Sequence, residues 1–312
     1  MPSWNELTDK VQDFGNNGQE ISKFLDSTMS ESLRNISSLR NNRNVIFYAS
    51  AFLQKPQLDP MTIQITNEEI NCFMAVMHGM DFSKGLSLIL HTPGGMTNAT
   101  ETLVEYIHSK FTYVETIIPT FAMSAGTMVA LSSDAIIMGR QSQLGPIDPQ
   151  MIIGGKSVSA RSIYAQFEKA KNDIHENITN AHLWAPILGS MSPGLLIEAS
   201  KANDYSEEIV KNWLERKCIK KSTEIANYFN DPALHKSHGK RIDRKDAREQ
   251  GLCVIDLEDS QDLQEAVLTA YHTMTIYFEK TPASKIVISN FGKRWIKNIV
   301  QPIPVNLPLQ IR

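Results

Sequence analysis

Apolar residues recur along this chain in two rhythms. Trp4, Leu7, Val11 and Phe14 fall three and four positions apart, Asn16-Asn17-Gly18 interrupts, and Leu33, Ile36 and Leu39 resume the spacing. That is the period of helices with one apolar face. Residues 1–43 therefore read as a helical arm, able to pack on the body of the protein, on a second subunit or on a partner. From Asn44 the rhythm changes. Val45 to Ala49 is a short apolar run of strand type, and a proline-containing loop follows over 54–61. Thr66-Asn67-Glu68-Glu69 has the spacing of a capping box. Ile70, Phe73, Met74 and Met77 then share one helix face. Gly85 to Leu90 reads as the next strand, Ala99, Leu103 and Ile107 as the buried face of the next helix, and Tyr113 to Ile118 as a third strand. Ala122 to Leu131 predicts a buried helix of small residues, and Ala135 to Met138 a fourth strand.

Strands and helices alternating at this pace predict an α/β chain of repeated βαβ units with a mostly parallel sheet. In such folds sites gather beyond the carboxyl ends of strands. Two unusual runs, His91-Thr92-Pro93-Gly94-Gly95 and Ala122-Met123-Ser124-Ala125-Gly126-Thr127, both lie just after strands. The second half is expected to be mainly helical, over about 157–182, 205–230, 243–250 and 260–280. Asp243 is suited to cap the third of these, Gly251 to stop it, and Cys253 to Ile255 to form a short strand. Apolar runs at 285–289 and 295–300 lead into a proline-rich tail.

Composition narrows the function classes. Of 312 residues, 42% are hydrophobic and 21% charged, and the net charge of -3 argues against a broad nucleic-acid-binding surface. Cys72, Cys218 and Cys253 are scattered, with no Cys/His cluster, so neither a zinc site nor a disulfide framework is indicated. The N-terminus lacks the basic start and apolar block of a secretory signal. The most apolar stretch, 113–138, is broken by Glu115, Thr116, Pro119, Thr120, Ser124 and Asp134, whereas a bilayer span needs roughly 20 nearly uninterrupted apolar residues. The expectation is a cytoplasmic protein with no integral membrane segment, metal, cofactor or nucleic-acid partner.

The interruptions of that stretch carry the chemistry. Paired glycines after a strand allow positive φ and close backbone approach, and their N–H groups can bind a developing oxyanion. Ser124 would sit where a strand enters a helix, presenting its hydroxyl at the open end of the sheet. There, nearby N–H groups and the helix dipole favour negative charge. An acyl-transfer enzyme needs a nucleophile and two oxyanion donors around one carbonyl. Ser124 offers the first; the amides of Ala125 and of Gly94 or Gly95 offer the second.

The ordered set LHTPGG (90–95), IPTFAMSAGTMVALSSDAIIMG (118–139), LGPIDPQ (144–150) and SHGKRIDRKDAREQGLCVID (237–256) resembles the Clp-fold serine peptidases of the serine dehydrogenase proteinase family. These are relatives of signal peptide peptidase A and, more distantly, of ClpP and the crotonases. The resemblance implies a ClpP/crotonase-like fold over about 44–256, flanked by the helical N-terminal arm 1–43 and by a C-terminal helix and tail, 257–312. It also implies Ser124 as nucleophile, Gly94, Gly95 and Ala125 as the oxyanion hole, a peptide or protein substrate, and a homo-oligomer.

The base stays open at the level of sequence. A ClpP-type histidine would fall near Asp148, where none exists, and Asp148 between two prolines reads as a residue fixing a turn. Arg161 occupies the region where related Ser-Lys enzymes place their lysine, and arginine stays protonated. The candidates are Lys171 and Lys169, ahead of Lys156, and His238, which needs less tuning to act near neutrality. His91, beside the PGG turn, reads as structural. No GxxxxGK[ST] pattern occurs, so the leading expectation is an ATP-independent serine endopeptidase. The alternatives are a catalytically degenerate Clp-fold scaffold and a crotonase-like acyl-CoA enzyme.

Overall fold

The computed structural model describes residues 4–299; the proline-rich tail lies outside the described residues. Strands β1 (Asn44–Ser50), β2 (Leu86–His91), β3 (Val114–Ile118) and β4 (Phe121–Ala122) lead up to Ser124. After it come β5 (Ala135–Met138), β6 (Gln143–Leu144), β7 (Gln150–Ile153) and β8 (Lys156–Ser159). The last three are β9 (Val254–Asp256), β10 (Ala283–Ser289) and β11 (Arg294–Asn298). Seven of these form one sheet in the order β11-β10-β1-β2-β3-β5-β9. The run from β1 to β9 is parallel, and β10 and β11 add an antiparallel edge. The short β4 and β6 pair in parallel as a separate ribbon, and β7 and β8 form a hairpin.

Strands β1, β2, β3, β5 and β10 are buried along their whole length, which is why apolar residues occupy both of their faces instead of alternating with polar ones. Alternation reappears in three dimensions. Ile46, Tyr48, Leu88, Leu90, Ile136 and Met138 face one layer, with Phe73, Leu103, Met128 and Trp213 from its helices. Val45, Phe47, Ile89, Ile117 and Ile137 face the other. That second layer consists of the helices Gly18–Leu39 and Gln261–Lys280, which pack side by side and contribute Met29, Leu33, Ile36, Val267 and Met274. The N-terminal arm thus lies on its own protein body. Its end is tied to the sheet by Glu115, fully buried on β3. That carboxylate accepts Arg40 Nε at 2.8 Å, Arg43 Nη1 at 2.9 Å and Ser87 Oγ at 2.6 Å. Burial alone would raise the Glu115 carboxyl, but the bonds from Arg40 and Ser87 outweigh it and hold the group below its ordinary value.

Two expected helices are subdivided. The 157–182 segment opens as β8 and becomes helical from Ala160 to Glu176, after a turn at Gly154 and Gly155 with positive φ. The 205–230 segment is two helices, Leu195–Arg216 and Ser222–Asn230, separated where Cys218 takes φ +57°. Among the described residues no helix is long and apolar enough to cross a membrane.

Candidate active site

Ser124 joins β4 to the helix Ala125–Leu131 at φ +51° and ψ -118°. That conformation costs an L residue on the order of 1–3 kcal/mol and persists only where the surroundings impose it. Here they do. Thr92 N–H donates to Phe121 O at 3.0 Å and Met123 N–H to Thr92 O at 3.1 Å, stitching the start of the PGG turn to the residues before Ser124. Thr127 Oγ1 donates to Ala122 O at 2.7 Å and accepts Gly145 N–H at 2.9 Å, closing the other side. The result leaves Ser124 half-buried, at the carboxyl end of the parallel strands.

The small residues of both motifs have steric reasons. A Cβ on Gly94, at φ +103°, would lie 2.6 Å from Ser124 Cβ and 3.0 Å from Ala125 N. One on Gly126 would lie 2.5 Å from Thr92 Cγ2. Gly95 forms a parallel bridge with Ile65, in which Ile65 N–H donates to Gly94 O at 2.8 Å and Met96 N–H to Ile65 O at 2.9 Å. In a parallel ladder, the bracketed residue turns its own N–H and C=O away from that partner. The Gly95 and Ala125 amides have no hydrogen-bond acceptor among the described residues, whereas Gly94 N–H is taken up by Thr92 Oγ1 at 3.2 Å. Of the two glycines, Gly95 is therefore the free donor.

His238 and Asp148, 90 residues apart, meet: Nδ1 of the imidazole lies 2.7 Å from Oδ1 of the carboxylate. Leu144 and Ile242 form an antiparallel bridge, with hydrogen bonds of 2.9 and 3.0 Å. Asp148 lies four residues after the first bridge residue and His238 four before the second, so this one bridge joins the two segments that carry them. Asp148 is 1% exposed, and Gln150 Nε2 donates to its second oxygen at 2.7 Å; the His238 side chain keeps 31% exposure. With Nδ1–H donating to Asp148, Nε2 is left as an acceptor.

The lysines sit elsewhere. Lys169 and Lys171 lie on the outer surface of the helix Ala160–Glu176, each 66% exposed, and pair with Asp173 at 3.0 Å and Glu168 at 3.4 Å. Lys156 is exposed at the end of the β7–β8 hairpin. None of the three is buried. His91 is buried among Phe52, Phe121 and Tyr271, with Nδ1 2.9 Å from Thr120 Oγ1. Desolvation pushes its imidazole down to about 3, which makes it a neutral packing residue.

Across residues 22–192 the chain matches the ClpP-like SDH-type serine proteinases. It belongs to that family. The matched span includes Ser124, Gly94, Gly95, Ala125 and Asp148, while His238 lies beyond it. Among curated relatives, the uncharacterized protein MJ0137 of Methanocaldococcus jannaschii is 36% identical over 87 residues, 28% of this chain and 30% of that one. The uncharacterized protein MJ1495 of the same organism is 29% identical over 165 residues, 52% of this chain. The chain thus spans about a third and about half, 30% and 54%, of the lengths of these relatives. A solved mutant of the membrane-bound stomatin-specific protease 1510-N is 18% identical, with a TM-score of 0.42, covering 65% of this chain and 79% of its own.

Sequence alone makes Asp148 a turn residue and assigns Thr92 and Thr127 no role. No local pattern could join Asp148 to a histidine 90 positions away. The two threonines, within HTPGG and SAGT, were legible as motif members, but not as bonds: Thr92 joins the PGG turn to the serine segment, and Thr127 braces that segment against Ala122 and Gly145.

Proposed function

We propose that this chain is an ATP-independent serine endopeptidase working through an acyl-enzyme on Ser124. The observation that carries the reading is the serine elbow, with a half-buried Ser124 flanked by the uncommitted amides of Gly95 and Ala125. In this reading Ser124 Oγ attacks the scissile carbonyl as His238 Nε2 takes its proton. The Gly95 and Ala125 N–H groups stabilise the tetrahedral oxyanion. The imidazolium then gives its proton to the leaving amine, and water, deprotonated by the same ring, hydrolyses the ester.

Asp148 is assigned to hold the imidazole with Nδ1 protonated and to stabilise the imidazolium, as the third member of such triads does. Support comes from the ribbon geometry. The segment of Ser124 continues β4, β6 runs beside it, and Ile242 bridges β6 on its other side. Neighbouring strands lie ~5 Å apart, so a segment joined to the far side of β6 is near enough to that of Ser124 to support the assignment of His238 as its base. His238 is preferred over Lys169 and Lys171 because both lysines are solvated and already paired. The substrate would bind in extended form, its main chain adding as a strand beside the cleft. Self-association, implied by the family resemblance, is read by sedimentation of the full chain.

Labelling with a fluorophosphonate probe tests the assignment. The wild-type chain should be labelled, Ser124→Ala should not be, and His238→Ala should be labelled far more slowly. A chain labelled equally well after Ser124→Ala would refute the nucleophile. Unchanged labelling in His238→Ala would refute the base.

A further inference from the structure

Behind the PGG turn lies a buried ion pair that neither the fold nor the reaction obviously requires. Lys285, on β10, has no exposed surface, and its ammonium contacts the carboxylate of Glu69, equally buried. Removing two charges from water costs several kcal/mol per ion, and a well-packed apolar pair commonly gives equal or greater stability. What an ion pair adds is direction, and here the bonds converge on one short segment. Lys285 Nζ donates to Gln64 O at 2.8 Å. Glu69 Oε2 accepts Thr66 N–H at 2.6 Å and Thr66 Oγ1 at 2.8 Å. Tyr48 Oη donates to the other carboxylate oxygen at 3.2 Å. Between the two anchored residues lies Ile65, whose backbone brackets Gly95 through the bonds to Gly94 O and from Met96 N–H. A side chain on Gly95 would run into the backbone of Ile65, so the strap and the turn are in direct contact.

We propose that Lys285 and Glu69 are positioning residues for the oxyanion turn: their pair fixes the strap Gln64–Thr66, and the strap fixes the direction of Gly95 N–H. The proposal deepens the serine-peptidase reading and rests on it, since that reading assigns Gly95 N–H to the oxyanion. It also gives the C-terminal segment a part in the site, because β10 lies far beyond the residues matched to the family. The helix Glu69–Met77 is not closed by the capping box expected at Thr66; instead Glu69 accepts the Thr66 N–H and receives the lysine through the same carboxylate.

Lys285→Met alone would strand a buried carboxylate, so the informative variant is the double substitution Lys285→Met with Glu69→Gln. It removes both charges and leaves an amide oxygen for Thr66 N–H. Residue-resolved hydrogen exchange should show protection of the Ile65 and Met96 amides falling about tenfold or more, with the β2 amides unchanged. In the same protein, fluorophosphonate labelling and kcat on a peptide substrate should fall about tenfold to a hundredfold while KM stays within about twofold, the signature of an interaction lost in the transition state. Unchanged protection at Ile65 and Met96 overturns the proposal, as does a uniform loss across the sheet. So does local loosening with undiminished labelling. If wild-type protein shows no Ser124-dependent labelling, the peptidase reading fails by itself, and the exchange data still decide whether the ion pair braces the turn.

Discussion

Replacing Gly94 by alanine tests the proposed site at its tightest point. The new Cβ would lie 2.6 Å from Ser124 Cβ, 2.7 Å from Met123 O and 3.0 Å from Ala125 N. Carbon atoms pack comfortably at about 3.5 Å or more, so the PGG turn and the serine elbow must separate by roughly 1 Å. Both partners are backbone or Cβ atoms of a constrained turn, and no flexible side-chain end is available to absorb the shift. Gly94 also sits at φ +103°, which adds a backbone cost of about 1–3 kcal/mol for an L residue. A misplacement of ~1 Å in a reacting constellation lowers the rate by about a hundredfold, equivalent to ~2.7 kcal/mol of barrier.

Gly251 supplies the control. Its φ of +98° is nearly the same, but a Cβ there would meet nothing within 4 Å. Gly251→Ala should therefore lose stability through torsion alone and keep its reactivity. The assay is the rate of fluorophosphonate labelling, measured well below both melting temperatures, with chemical denaturation run in parallel. We expect Gly94→Ala to label about a hundredfold more slowly and Gly251→Ala to match wild type. Labelling of Gly94→Ala within about threefold of wild type would refute the reasoning, as would equal slowing in the two variants.

Asp148→Asn should preserve the fold, because the amide still fits between Gln150 and His238. It should lower kcat or labelling by about a hundredfold to ten-thousandfold, through loss of the favoured tautomer and imidazolium stabilisation; a pH–rate profile with wild-type magnitude would contradict the assigned role. Lys169→Ala and Lys171→Ala remove solvated ion pairs and should change stability by no more than about 0.5 kcal/mol and labelling not at all; a collapse of labelling in either would move the base to that lysine. His91 is neutral in the folded chain down to about pH 3, whereas an unfolded histidine takes up a proton near pH 6.5. Above that pH it has no effect on the balance. Below it only the unfolded state gains the proton, so stability falls by about 1.4 kcal/mol per pH unit, or ~2 kcal/mol between pH 6.5 and 5. His91→Leu should remove that part of the pH dependence in denaturation curves; an identical slope would show that the ring is not the group responsible.

Much of the architecture was legible in the chain because burial on both faces leaves an unmistakable mark. Val45–Ala49, Leu86–Leu90 and Ala135–Met138 are short apolar runs bounded by loops, and each is a parallel strand at the position expected. The less legible parts share a cause. The β7–β8 hairpin and the break at Cys218 depend on what packs around them, so helical spacing ran through both. Strands β10 and β11 were visible only as apolar runs, because β10 takes its place by pairing with β1, more than 230 residues away in the chain, and β11 then adds to β10.

The candidate site divides in the same way. Ser124, Gly94, Gly95 and Ala125 could be read from the sequence because a tight turn at the end of a strand is specified locally, by small residues where a Cβ would collide. The proximity of His238 to Asp148 and of Lys285 to Glu69 is different, since a contact between residues 90 or 216 positions apart leaves no trace in local spacing. Those meetings rest on long-range pairing: the isolated Leu144–Ile242 bridge joins the segments of the first, and the β1–β10 pairing sets the place of Lys285 in the second. The sequence by itself determined the serine turn and the parallel α/β framework. Only the tertiary structure decided which histidine reaches a buried carboxylate, which lysines remain in water, and what stands behind the glycine turn.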